Sequence, residues 1–593
     1  MFNLGLLSLL QVWFLPGLSL LVISKQIRLI DKLILSLPLS IFINYLIIFI
    51  LILFEVYNQS SLLLIILFEI LIILYFLKKN KDLFNDLKSF IKFLEFKKIN
   101  FKLNIIDIIV ILIFFFYIYL AFINLGNIVG AGDSQTFYKW TLDIINNKVP
   151  KATYDYPLGP SFLASISYVL LKTTKIEFFS SIIYFIYPLW IFLVFYRSAF
   201  LLKKYQYEIK FSLIFTSLIL LYNFRHYLLF FDLPDPTLAM LTSMGAYILI
   251  LAINKIKLGI NYETILFCLV MSSSSILKQY GVYTSILFPI MYLVFFYKKN
   301  SNFLKIFIFI SLVIFISFSP WYIFKYYQIY FLGTDISMTS VLRDHATHFQ
   351  QGSIFSSLIN AFKILFGYSF VLIIFFIIIS LKFKYTKLLF IFFLLPYLSL
   401  YVLFIEWKFR AFAPAMPAVG ILCGYGFYQT FLFFKKNFSK KNLIYIYYFS
   451  IFSIGILFLG SLNYYRDFNK LLYLQENAMK KRGNYELNVL LYNFLRKDDD
   501  IKTVYVIPDY NHLHKLPDLN HKFIDIECSQ FIGNIDDYSK KSFYIIIDKS
   551  RFDTNKMRKN CKKDILNYIN LNIEKNKLSN IFEYKKFVMY LKN

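Results

Sequence analysis

A series of hydrophobic runs, each close to 20 residues long, limits the fold of this chain more than any other feature. A run of that length crosses the hydrocarbon core of a bilayer as one α-helix. Hydrophobic residues make up 58% of the 593 positions, which is more than soluble domains usually carry. We therefore predict an all-α polytopic membrane protein with about fourteen transmembrane helices. The predicted spans cover roughly residues 3–24, 33–54, 61–77, 104–126, 178–196, 211–230, 237–253, 262–277, 281–297, 303–323, 356–380, 388–406, 412–434 and 443–462.

Lysine and arginine gather in the segments between these spans, and they account for the formal net charge of +28. Because basic residues concentrate in cytoplasmic loops, membrane topology explains this charge better than nucleic-acid binding does. The resulting topology predicts a multi-pass protein of the inner (cytoplasmic) membrane, with the N-terminus, Asp133 and the tail after Leu462 extracytoplasmic. The short segment 407–411 is the exception, since it falls outside although it carries two basic residues. The segments predicted inside are 25–32, 78–103, 197–210, 254–258, 298–302, 382–387 and 435–442, and those predicted outside are 55–60, 127–177, 231–236, 278–280 and 324–355.

The chain is predicted to have four parts. Residues 1–77 form three leading transmembrane helices, and residues 78–103 form an amphipathic, basic linker on the cytoplasmic leaflet. Residues 104–462 form a transmembrane core with the outer loop 127–177. Residues 463–593 form a small extracytoplasmic α/β domain, because the hydrophobic runs there shorten to strand length.

Within this last part, the residue pattern predicts three strands flanked by helical segments. The predicted strands cover 503–507, 522–526 and 542–547, and the helical segments cover 484–496 and 561–572. Cys528 and Cys561 also fall in this part, and they could pair if it is extracytoplasmic. The sequence leaves both the paired and the free state open.

Asp133 is the residue that most directly indicates chemistry. It follows the span 104–126, at a membrane boundary where a carboxylate needs water or a partner to stay charged. A carboxylate in this position can bind a divalent metal ion or accept a proton from an attacking hydroxyl group. Capping of the helix that follows is the structural alternative.

Three further outer elements carry candidate site residues. Tyr154, Tyr156 and Pro157 belong to a proline- and tyrosine-rich loop that returns toward the bilayer. Asp232 and Asp235 stand in a proline-containing turn before a span, where acids also serve local hydrogen bonding and helix starts. The basic candidates for an anionic ligand are Lys278 and Arg410, and the alternative for Arg410 is anchoring of its helix end.

The order of these elements resembles the GT-C integral-membrane glycosyltransferases, in the branch of protein O-mannosyltransferases and lipid A aminoarabinose transferases. An aspartate beyond a span is followed by Tyr156-Pro157-Leu158-Gly159-Pro160, an acidic turn at 231–239, a Lys-x-x-Gly turn at 276–281 and an Arg-aromatic-x-x-Pro-x-x-Pro element at 409–417. Tyr280 stands where the family often has a carboxylate. The resemblance covers roughly 104–462 and leaves the leading spans unexplained.

The resemblance implies transfer of a sugar from a polyprenyl-phosphate-linked donor to an extracytoplasmic acceptor, with inversion. It implies that Asp133 acts as base or metal ligand, and that Arg410 and Lys278 bind the lipid phosphate. Mg²⁺ or Mn²⁺ could assist, and no organic cofactor is expected. The competing hypotheses are a transporter or flippase of lipid-linked sugars and an envelope polysaccharide polymerase or ligase. Charges near the bilayer midplane would favour transport, whereas here the charges gather at span ends.

Overall fold

The structure is a computed structural model that describes part of the chain. Single residues and pairs are also described between the longer segments. The longer segments are residues 2–24, 27–80, 143–147, 157–172, 178–183, 186–201, 207–216, 235–253, 262–278, 281–296, 303–331, 369–403, 414–437, 503–507, 522–525, 542–548, 559–575, 577–584 and 587–592.

Helices dominate the N-terminal three quarters of the described chain. In the first part they are α1 (Phe2–Trp13), α2 (Leu15–Leu21), α3 (Leu29–Leu53), α4 (Gln59–Lys79), α5 (Gly159–Leu171), α6 (Phe178–Ile182) and α7 (Ile186–Leu201). They continue with α8 (Asp235–Ile253), α9 (Tyr262–Ser272), α10 (Gly281–Phe296), α11 (Phe303–Phe331), α12 (Phe370–Ser380), α13 (Lys384–Leu389), α14 (Leu395–Leu403) and α15 (Met416–Asn437). A 3-10 turn (Ser273–Ile276) follows α9, and a π-helical turn (Phe390–Leu394) joins α13 to α14.

Wherever the structure describes a predicted span, most of its residues are helical, whereas α5 lies in none of the predicted spans. Three of them, α3, α4 and α15, are long and apolar enough to cross a membrane, and the bent pair α1–α2 is a fourth candidate. The predicted span 443–462, most of the spans 104–126 and 211–230, and most of the linker 78–103 lie outside the described residues. A membrane protein with multiple helical spans is therefore confirmed, and the count of fourteen stays a prediction.

The first predicted span is broken into α1 and α2, which meet at an angle of 48°. Pro16 has no N–H group and so cannot bond the carbonyl of Val12 as a straight helix requires. The next N–H group, that of Gly17, donates to Ser40 Oγ on α3 at 2.9 Å. A methyl group on Gly17 would overlap the carbonyl oxygen of Ser36, so glycine permits the close approach of α2 and α3.

The leading helices pack directly on the helices of the predicted core. Trp13 Nε1 donates to the carbonyl of Ile183 at 3.1 Å, and Trp190 Nε1 donates to the carbonyl of Ile34 at 2.8 Å. In the first bond the indole belongs to a leading helix and the carbonyl to the core, and in the second bond these roles are reversed. An indole N–H inside a protein needs such an acceptor. Helices α1 to α3 thus form part of the same bundle as α5 to α8.

By Cα proximity the chain divides into two compact units, Met1–Ile128 with Trp140–Leu471, and Val129–Lys139 with Leu472–Asn593. The second unit contains a five-stranded sheet of order β2-β1-β3-β5-β4. The first three strands pair in parallel, and the last two join antiparallel. The elements are β1 (Thr503–Ile507), β2 (Lys522–Asp525), β3 (Phe543–Asp548), α16 (Lys559–Glu574), β4 (Leu578–Tyr584) and β5 (Phe587–Lys592).

The predicted strands and the second helical segment of this unit are present within a residue or two of their expected bounds. The hairpin of β4 and β5 was not predicted. Only Lys585 and Lys586 separate its strands, and neither glycine nor asparagine marks the turn. Of the predicted helix 484–496, residues 494–495 are described, and they are helical. Cys528 lies outside the described residues, and Cys561 lies on α16.

Candidate functional site

Segments predicted to lie outside contact one another at one end of the bundle. The backbone N–H of Tyr57 donates to Asn147 Oδ1 at 2.9 Å, which joins the segment 55–60 to the loop 127–177. Gln59 Nε2 donates to the carbonyl of Leu170 at 2.6 Å, a second link between the same two segments. The segments that the charge pattern assigns to one side of the membrane are therefore neighbours in space.

Segments predicted to lie inside are joined at the opposite end of α3. Arg197 Nε donates to Asp31 Oδ1 at 2.8 Å, and Arg197 Nη2 donates to Asp31 Oδ2 at 3.1 Å. The hydroxyl of Tyr247 donates to Asp31 Oδ1 at 2.6 Å. Asp31 begins α3, while Arg197 and Tyr247 lie in the last turns of α7 and α8. Three helix ends assigned to the cytoplasmic side thus meet, about 35 Å of helix away from Tyr57.

At the predicted outer end, the start of α5 packs on the turn that precedes Lys278. Pro157 is buried, and α5 begins two residues later with Pro160 in its first turn, where a missing N–H costs nothing. A methyl group on Gly159 would overlap the carbonyl oxygen of Ile276. The close contact between these two backbones therefore brings two predicted site elements together.

Helix α5 itself was not predicted, since its residues fall in the segment 127–177, which was predicted only as an outer loop. Its 13 residues are almost all buried, although it is too short to span a bilayer. Tyr57 reaches it through a hydrogen bond of 2.7 Å between its hydroxyl group and Ser165 Oγ. A buried helix inside the outer loop gives Pro157 and Gly159 a rigid support.

Lys278 occupies a buried turn between α9 and α10. It is only 5% exposed, and its carbonyl accepts a bond from the N–H of Gly281 at 2.9 Å. Helix α9 with its 3-10 turn is about 25 Å long and α10 about 24 Å, both less than the roughly 30 Å hydrocarbon thickness. We conclude that the ammonium group is held within the bundle, where an anionic ligand would meet it with little competing water.

The start of α8 meets the same turn. Asp235 is the first residue of α8, in agreement with its predicted position before a span. Three residues later, Leu238 Cδ2 would lie 3.3 Å from a methyl group placed on Gly281, and the same methyl group would overlap the carbonyl of Ser274. The starts of α8 and α5 therefore both lie beside the turn that carries Lys278.

Buried hydroxyl groups surround this turn, and sequence reasoning missed them. Ser272, Ser273, Ser274 and Ser275 are all at most 1% exposed. Within the described residues, neither the Ser272 hydroxyl nor the Thr237 hydroxyl has a hydrogen-bond partner. Four consecutive serines inside an apolar span were the available signal, because hydroxyl groups in hydrocarbon require partners.

The remaining predicted site residues lie outside the described residues, so their positions stay predictions. They are Asp133, Tyr154, Tyr156, Asp232 and Arg410. The neighbour of Arg410 that is described, Phe412, is fully buried against Phe366, with ring centroids 6.4 Å apart. Among the described residues no three His, Cys, Asp or Glu side chains gather closely enough to hold a metal ion.

The polytopic helical bundle has a GT-C-like fold, because it is similar in fold to two solved structures. The chain is similar to the crystal structure of ArnT from Cupriavidus metallidurans bound to undecaprenyl phosphate, with a TM-score of 0.55 and 11% identity. It is similar to the apo state of the same protein with a TM-score of 0.51 and 11% identity. Each alignment covers 81% of this chain and 97% of ArnT. No family model and no curated protein sequence matches the chain.

Proposed function

We propose that this protein is a membrane glycosyltransferase that moves a sugar from a polyprenyl-phosphate-linked donor to an extracytoplasmic acceptor. The acceptor class would be a glycan, lipid or protein of the cell envelope. The donor would keep its isoprenoid tail in the bilayer and present its phosphate to the outer end of the helix bundle. The protein would accordingly reside in the inner membrane, with both termini outside.

One observation carries this proposal, namely the backbone contact between Gly159 and Ile276. This contact joins the start of α5 to the turn before Lys278, in a chain that shares its fold with a protein crystallised with undecaprenyl phosphate. Lys278 is a compact, buried cation, and such a group favours a phosphate ligand over a neutral one. The unpartnered hydroxyl groups of Ser272 and Thr237 supply hydrogen-bonding capacity in the same region.

The proposed mechanism assigns a role to each predicted residue. Asp133 would remove the proton from the attacking hydroxyl group or bind a divalent ion such as Mg²⁺ or Mn²⁺. Arg410 and Lys278 would stabilise the charge on the departing lipid phosphate, and a single displacement would invert the anomeric carbon. Asp232 and Asp235 would supply the second acidic group near the acceptor. Tyr154, Tyr156 and Pro157 would form the loop over the substrate.

The test is reconstitution with a radiolabelled polyprenyl-phosphate sugar and an envelope extract as acceptor. We expect release of polyprenyl phosphate and label in the extract, and we expect Asp133→Asn to abolish both while inserting normally into the membrane. Asp143→Asn, a change ten positions further along the same predicted loop, is the matched control and should retain transfer. Wild-type turnover by Asp133→Asn would exclude the central assignment.

A transporter or flippase of lipid-linked sugars is the second candidate, because one observation favours it. Glu69, a residue in the middle of α4, is buried, so the expectation that all charged side chains stand at span ends is incomplete. The same reconstitution separates the candidates, since a flippase moves the conjugate across the vesicle without releasing polyprenyl phosphate. A polymerase or ligase would instead require a pyrophosphate-linked donor, which can be supplied in a parallel reaction.

A further inference from the structure

Glu69 lies in the middle of α4, about 15 Å of helix from either end, in an otherwise apolar stretch. It faces the bundle rather than the lipid, with only 5% of its surface exposed. Its Oε1 accepts a long hydrogen bond of 3.4 Å from Gln11 Nε2 on α1. The same Gln11 Nε2 donates to Asn44 Oδ1 on α3 at 3.1 Å. Three polar side chains from three leading helices therefore meet near mid-depth.

Two oxygen atoms of this cluster have no donor in the described part of the chain. They are Glu69 Oε2 and Gln11 Oε1. Both atoms are buried, and the two side chains that carry them are in contact with each other. Two neighbouring acceptors without a donor are unfavourable in hydrocarbon, and an ionised carboxylate there is more so. A proton bound to Glu69 would relieve both unfavourable features. It would remove the negative charge, and it would give the carboxyl group an O–H that can donate a hydrogen bond.

The C-terminal end of α1, which lies beside this cluster, also favours binding of a positive charge such as this proton. The break before α2 leaves the last carbonyls of α1 without their usual helical partners, since Pro16 has no N–H and the Gly17 N–H donates to Ser40. The Gln11 carbonyl is bonded instead by Asn44 Nδ2 at 2.9 Å. Such helix C-terminal ends carry partial negative charge, and broken helices use them to hold cations near the midplane.

Few other titratable groups belong to the helices packed on α4. Helices α1 and α2 carry no titratable side chain, and α5 carries only Tyr168. Helix α3 carries Tyr45 next to Asn44, while its Asp31 and Lys32 lie 13 and 12 positions earlier at the inner end. Among the described residues, Glu69 is therefore the acidic group at mid-depth.

We propose that Glu69, with Gln11 and Asn44, forms a proton-binding site within the hydrocarbon region of the leading helices. The carboxyl group is held in its neutral form, and its proton serves as the donor that the cluster otherwise lacks. This site is built from helices outside residues 104–462, where the glycosyltransferase-like motifs lie, and it contains none of the residues assigned to the proposed sugar transfer. It is a site at which protonation sets the contact between α1 and α4.

A pair of carbodiimides of opposite solubility tests the proposal on the full-length protein in phospholipid vesicles. Dicyclohexylcarbodiimide reacts in the bilayer with protonated carboxyl groups: the acid proton moves to a carbodiimide nitrogen, and the carboxyl oxygen bonds to the central carbon. Mass spectrometry should locate the adduct on Glu69 and find none there in Glu69→Gln. A water-soluble carbodiimide with an added amine should label the exposed Glu55 and leave Glu69 unlabelled.

Labelling of Glu69 should decline about tenfold per pH unit above its midpoint, because only the protonated form reacts. Sodium chloride, compared with choline chloride at equal ionic strength, should leave it unchanged. Protection by sodium would overturn the proton assignment in favour of a metal cation. Absence of labelling at every pH, with Glu55 still labelled by the soluble reagent, would overturn the site itself.

Glu69→Gln should retain wild-type thermal stability because it reproduces the neutral state, and marked destabilisation would argue that the charge is required.

Discussion

Arg197 and Asp31 form a two-bond ion pair that ties α7 of the core to α3 of the leading helices. Both side chains are largely buried, with 11% and 6% of their surfaces exposed. Tyr247 adds a third bond to the same carboxylate from α8. The leading helices, which the glycosyltransferase resemblance left unexplained, are thus joined to the core by a charged contact at the end predicted to be cytoplasmic.

Replacing Arg197 by Met should destabilise the protein by about 3–5 kcal/mol, because it leaves the carboxylate of Asp31 buried with only a tyrosine hydroxyl as partner. Thermal unfolding of the detergent-solubilised protein would measure the loss. The double variant Asp31→Asn with Arg197→Met should recover much of it, since no uncompensated charge remains. Lys382→Met, at an exposed position of a predicted inner loop, is the control and should change little. Equal losses in the single and double variants would show that packing, not charge, supports this contact.

Most of the architecture could be predicted from the sequence, because hydrophobic run length and charge distribution act locally. The first predicted span illustrates the limit, since run length gives one helix where Pro16 produces two. The strand at 543–548 was predicted correctly, because a short run rich in β-branched residues can be recognised without knowing its partner strand. The hairpin strands β4 and β5 lacked such a run and a turn signal.

The candidate site was less predictable, since its parts meet only through long-range packing. Lys278 could be singled out as a charge near a turn, but the contact of that turn with Gly159, more than 100 positions earlier, has no local signal. Glu69 was not singled out at all, because a single acid in an apolar run does not lower the span signal enough to attract notice. The pairing of Asp31 with Arg197 likewise joins segments that no local pattern connects.

Replacing Lys278 by Met should weaken binding of the lipid-linked donor about 10- to 100-fold, as expected for loss of a charged contact to phosphate. Methionine keeps much of the lysine stem, so packing of the turn should survive. Titration of the reconstituted protein with a fluorescent polyprenyl phosphate would measure the change. Lys382→Met again serves as control. Unchanged affinity in Lys278→Met would remove this residue from the proposed phosphate site.

Replacing Ile545 by Ala should destabilise the sheet unit by about 2–4 kcal/mol, because this side chain is fully buried in the central strand β3. Limited proteolysis of membrane vesicles would detect the change as faster cleavage of the C-terminal region, with the membrane-embedded fragment preserved. Leu571→Ala, at a position of α16 that is 50% exposed, removes a similar volume and should leave cleavage unchanged. Equal protection of both variants would contradict the assignment of Ile545 to a packed core.

Two glycines provide the sharpest test of the contact between the start of α5 and the turn before Lys278. A methyl group on Gly159 would overlap the backbone carbonyl of Ile276, which cannot move without displacing the turn that carries Lys278. A methyl group on Gly245 would approach Met271 Cε at 2.7 Å, and that flexible side-chain end can move away. We therefore expect Gly159→Ala to cost about 1–3 kcal/mol and to reduce sugar transfer, whereas Gly245→Ala should cost less and retain transfer. Thermal unfolding and the donor-release assay would measure both effects. If Gly159→Ala transfers sugar as well as Gly245→Ala does, the spacing between these two backbones does not shape the site.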